Sequence, residues 1–167
     1  RSSDLNHAEA AGYFSQALEE NMALGLTKNL AILQRNIGAN LHEASTNSSS
    51  TNRPALKNAL DSYLKSVSYL EQYGEKEQKK GSGFINLILS LGEGGSEAAL
   101  GFDRQGEEKL LFGFIANVFE KLAEPKAALD YMQKKLALYP QENQGSPGVL
   151  AEKAVTLNRT ALLAFEI

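Results

Sequence analysis

KLLFGFIANVFEKLAEPKAALDYMQKKLALYP, residues 109–140, decides how the rest of the chain is read. Apolar side chains recur there at intervals of three and four. The first set is Leu111, Phe112, Ile115, Phe119 and Leu122; the second is Ala127, Ala128, Tyr131, Met132, Leu136 and Leu138. That spacing predicts two amphipathic helices. Leu122-Ala123-Glu124-Pro125 supplies the turn between them, and Pro140 closes the second. Ala116 and Ala128 place one small residue in each helix, so two antiparallel backbones approach closely while larger side chains fill the space beside them.

Working outward, the same periodicity covers most of the chain. Leu5, Ala8, Ala11, Phe14, Leu18 and Met22 form one stripe, and Leu30, Leu33, Ile37, Leu41 and Ala44 the next. Leu56, Leu60, Tyr63, Val67 and Leu70 follow, with Gly74 read as a helix end. A shorter run, Phe84, Leu87, Ile88 and Leu91, stops at Gly92. Residues 96–105 read as a short helix, and Leu150, Ala154, Leu157, Ala161, Leu162 and Phe165 form the last stripe. No alternating strand pattern is found, so the prediction is an all-α chain of about eight helices. Two stretches interrupt the rhythm. Residues 45–54 are polar and low in complexity and predict a loop. Residues 140–148 predict a second, with Ser146 as helix cap and Pro147 in the first turn of the final helix. Neither is a domain linker, and residues 1–167 read as one domain.

The spacing in 109–140 resembles the tetratricopeptide repeat: a large apolar residue, then an aliphatic beside a small one, an aromatic, a second small residue, a large apolar one and a closing Pro. Weaker copies follow along the chain. Ala10, Phe14, Ala17 and Leu18 match a second helix; Ile37-Gly38 and Leu41 match a first helix, with Ala59 and Tyr63 as its partner. Leu91-Gly92 resembles the turn signature, with Ala98 and Phe102 in the helix after it. This resemblance implies a right-handed α-solenoid of antiparallel helix pairs with degenerate repeats. Both ends keep apolar faces where a solenoid would carry polar caps, so the chain is expected to belong to a longer array, or to self-associate through its uncapped end helices.

Composition narrows the function. The chain holds 17 basic and 20 acidic residues, a formal net charge of −3, and 43% apolar residues. That balance gives no general electrostatic reason to bind nucleic acid or an anionic membrane. No apolar run reaches the length of a membrane helix, so no membrane insertion is expected. Cysteine is absent, which excludes thiolate metal sites, cysteine nucleophiles and disulfides. It suits reducing and oxidising compartments alike, with the cytoplasm as the default expectation. His7 and His42 lack a second ligand at helical spacing and read as surface histidines, so no metal is expected. The glycines at 81, 83, 92, 94, 95 and 101 have neither the preceding strand nor the Gly-Lys-Ser/Thr of a phosphate loop. Glu93, Glu97, Asp103, Glu107 and Glu108 read as solvated helix faces rather than an acid/base pair. The expectation is no cofactor, no catalytic residue and no enzymatic activity.

What remains is the concave face that the resemblance implies, lined by the first helix of each pair. Its outward polar residues are expected at Arg35, Asn36, Asn86, Asn117, Asn158 and Arg159. Asn offers both donor and acceptor to a peptide backbone, and Arg can fork onto a carboxylate. The family's carboxylate clamp pairs a basic residue with an Asn one turn later. Here Ala39 follows Arg35, so that clamp is incomplete. The predicted function is a scaffold that binds a protein or peptide partner. The alternative is a regulatory or sensory helical domain packed against an attached enzyme or DNA-binding module.

Overall fold

The computed structural model describes the backbone of residues 2–46, 52–91, 102–141 and 145–167, and the side chains of these except 2–5, 7, 8 and 78–91. All regular structure among them is helical. The six helices are α1 (Ser2–Ala23), α2 (Thr27–Thr46), α3 (Arg53–Leu91), α4 (Arg104–Lys121), α5 (Pro125–Ala137) and α6 (Pro147–Glu166). Each packs against its neighbour in the chain: α1 on α2, α2 on α3, α3 on α4, α4 on α5 and α5 on α6.

The junctions follow from local chemistry. Gly25, at φ 64°, ends α1 in the left-handed conformation. Its amide donates to Met22 O, and the Leu26 amide reaches back to Asn21 O, a paired closure of the last helical turn. The same closure ends α4, where the Ala123 amide donates to Glu120 O and the Glu124 amide to Phe119 O. There the left-handed residue is Ala123, at φ 59°. Asp103 caps α4 by accepting from the Gly106 amide at 2.9 Å. Ser146 caps α6 by accepting from the Val149 amide, with Pro147 in the first turn, as its position in the sequence predicts.

Three expectations change. The stretches around 56–70 and 84–91 form one helix, α3, so Gly74 is not a helix end. Gly74 is buried, and the Arg104 guanidinium lies against it where a Cβ would stand. The missing side chain admits a neighbour there instead of breaking the helix, and Glu75 to Lys80 are mostly strong helix formers that carry it on. Of the short helix expected over 96–105, residues 96–101 lie outside the described residues, while Arg104 and Gln105 open α4. Asn86, expected on a helix separate from Ala59 and Tyr63, lies on the same helix as they do.

The core has two parts. One joins Ala31 of α2, Leu56, Ala59 and Tyr63 of α3, and Leu111, Ile115 and Val118 of α4. The other joins Ala116, Ala128, Met132 and Leu163 from α4, α5 and α6. α4 thus faces both, presenting its aliphatic side to one core and Ala116 to the other. Small residues set the close crossings. A Cβ on Gly38 would stand 2.7 Å from the Tyr63 ring and 3.1 Å from Ala59 O. Ser66 crosses the same pair, donating to Ala31 O at 2.6 Å.

Candidate functional site

A groove of about 590 Å³ opens along α4. Its walls come mainly from alternate helices: Ala39, His42, Glu43 and Thr46 of α2, Leu110, Gly113, Phe114, Asn117 and Lys121 of α4, and Val155, Thr156 and Arg159 of α6. The intervening helices supply Tyr63, Met132 and Lys135.

One end of the groove is built around His42. Its Nδ1 stands 3.5 Å from the Tyr63 hydroxyl and its ring lies edge-on to Tyr63, centroids 6.3 Å apart. Lys121, 79 residues away, donates its ammonium to Nε2 at 3.0 Å. Half-burial, and next the Lys121 charge, lower the His42 pKa below 6.5, against a hydrogen bond with Asn117 that raises it. The imidazole is therefore neutral at pH 7. Tyr63 stacks on Phe114 at 5.4 Å. Burial pushes the Tyr63 phenol up to about 12, against the pull of the Arg35 charge.

The groove also holds Lys135 and Arg159. The Lys135 ammonium lies over Gly113, 3.3 Å from where a Cβ would stand, so the glycine leaves it room. Burial lowers the Lys135 pKa first; Glu152 raises it, while Arg159 and Lys109 lower it further. Arg159 pairs with Glu120 across α4 and α6. Lys121 and Lys135 form no ion pair among the described residues. Leu110, Phe114, Met132 and Val155 make an apolar surface in the same groove.

Of the six residues expected on a binding face, Asn117 and Arg159 line the groove. Arg35 instead pairs with Glu107 at 2.9 Å, tying α2 to α4. Asn36 is half-buried on α2, one turn before the first groove residue, and Asn158 is exposed on α6 outside the lining. Asn86 is in α3 with its side chain outside the described residues. Reading the sequence by pattern misses His42, Lys121 and Lys135. The repeat spacing that places Asn117 on a groove-lining helix also places Lys121 one turn beyond it, which is the available signal.

Among the described residues no three His, Asp or Glu side chains gather to hold a metal ion, and no helix is long and apolar enough to cross a membrane. No protein-family model matches the chain, and no curated protein matches it.

Proposed function

We propose that this chain is a protein- or peptide-recognition module, not an enzyme, and that the groove along α4 is its binding surface. The observation that carries this reading is the convergence of α2, α4 and α6 on one groove holding polar and apolar groups together. A site that grips an extended partner needs that mixture: hydrogen-bonding side chains to hold the backbone and apolar surface to bury its side chains. The sequential packing of the helices and the small residues at their crossings support a right-handed stack of tetratricopeptide-like pairs. In such a stack α2, α4 and α6 are the first helices.

The test is selection from a random peptide display library on the immobilised protein, repeated with the Asn117→Ala/Arg159→Ala variant. Peptides enriched on the wild type and lost on the folded variant are the expected result. Equal enrichment on both, or none on either, would remove the groove from the function.

A second reading has its own observation. Tyr13 and Met22 of α1 are 65% and 56% exposed, and Val155, Leu162 and Phe165 of α6 are 70%, 58% and 91% exposed. Apolar surface of this kind suits a regulatory or sensory domain packed against an attached enzyme or DNA-binding module, or a second copy. Sedimentation showing a strict monomer at high concentration would count against self-association.

A further inference from the structure

We infer that the groove selects an extended partner segment carrying two acidic side chains, three or four residues apart, with a bulky apolar residue between them. The inference rests on the proposed binding role and names the chemistry of the ligand.

The chain as a whole is acidic, at −3, yet this groove is not. Its lining holds Lys121, Lys135 and Arg159 against Glu43 among the described residues. Arg159 is already matched by Glu120. Lys121 donates to a neutral imidazole rather than to a carboxylate. Lys135 is half-buried, with Glu152 on one side opposed by Arg159 and Lys109, and has no ion pair among the described residues. Two ammonium groups in one groove, neither of them ion-paired and with Glu43 the one acidic lining residue among those described, gain more from an anionic ligand than cations already paired.

Their spacing sets the spacing of the acids. The Lys135 ammonium sits over Gly113, and Lys121 stands eight residues further along α4, about 12 Å at the helical rise. An extended chain covers roughly that distance in three to four residues. Between the two cations α4 presents Phe114, with Met132 and Val155 in the same lining. That is an apolar surface for the side chain between the acids, and burying it excludes water from the flanking ion pairs. A single terminal carboxylate would reach one ammonium and leave the other without a partner.

The test uses a labelled peptide Glu-Ser-Leu-Ser-Glu, acetylated and amidated so that no terminal charge remains, together with its Gln-Ser-Leu-Ser-Gln counterpart. Anisotropy is read at low salt. The glutamate peptide is expected to bind, with affinity falling about threefold to tenfold in each of Lys121→Ala and Lys135→Ala. The glutamine peptide is expected to lose at least as much. Circular dichroism checks that both variants fold. Equal binding of the two peptides, or binding indifferent to both lysines, overturns the acidic assignment. If neither peptide binds while library peptides still depend on Asn117 and Arg159, the acidic ligand is wrong and the binding role stands. If those library peptides also fail, both readings fall.

Discussion

His42 carries the pH response of the groove in one side chain. Burial and the neighbouring Lys121 charge lower its pKa from 6.5 in the folded chain, so the unfolded chain takes up a proton more readily. Its contribution to stability is therefore complete above the ordinary value and is lost as pH falls toward the lowered one. Denaturant unfolding at about pH 7.5 and about pH 5.5 should show the wild type losing more stability than His42→Gln across that window. Equal losses would mean that Lys121 and burial leave the imidazole unperturbed. No local pattern announces this residue, because its partner lies 79 positions away and a lone histidine on a helix reads as surface. Asn117 and Arg159 are legible because the repeat spacing puts them on alternate helices. Asn158 shows the limit of that reading: one residue from Arg159, it is turned about 100° around α6 and misses the groove.

At the scale of elements, periodicity finds the helices and misjudges some glycines. The spans of α4, α5 and α6 follow from apolar spacing, Pro125, Pro140 and the Ser146 cap, all local signals. Gly74 misleads because a glycine that ends a helix and one that admits a neighbour look alike in sequence. Only the tertiary position of Arg104 separates them. Gly38 and Ala123 turn this distinction into substitutions of opposite sign. A Cβ on Gly38 would press on the Tyr63 ring, which is 1% exposed and held on its other side by Phe114. Gly38→Ala should therefore cost about 1–3 kcal/mol, against the usual helix preference for alanine. Ala123 occupies the left-handed position that glycine takes after α1. Ala123→Gly should gain about 0.5–1 kcal/mol from relief of that backbone strain, net of the added chain entropy. Urea unfolding of both variants checks the pair. A stable Gly38→Ala would mean that α2 and α3 do not meet as closely as described.

Across the described residues, the extensive packing runs between chain neighbours, side-chain pairs also link α2 to α4 and α4 to α6, and the two cores divide at α4. Stability in such an arrangement is a sum of helix terms and nearest-neighbour interfaces, so the ends can open while the middle holds. α1 packs on α2, and none of its described side chains is fully buried. α6 contributes Leu163 to the smaller core, with Thr156 the other buried residue on it. α3 and α4 instead share Leu56, Ala59, Tyr63, Leu111, Ile115 and Val118. Native-state hydrogen exchange should therefore rank the helices. Amides of α1 should exchange fastest, those of α6 next, and the facing parts of α3 and α4 slowest, with roughly tenfold or more between the extremes. Leu163→Ala should speed exchange in α6 while leaving the α3–α4 core nearly unchanged, because Leu163 packs with Ala116, Ala128 and Met132 in the smaller core and takes no part in the larger one. If every helix instead exchanged at one global rate, the chain would be a single cooperative unit. The groove, which needs α2, α4 and α6 in place together, would then open only with complete unfolding. If the ends do open first, loss of α6 removes Val155 and Arg159 from the groove while His42, Lys121 and Phe114 stay in position. A bound partner that touches α6 must then slow exchange there, which makes α6 protection a direct report of occupancy.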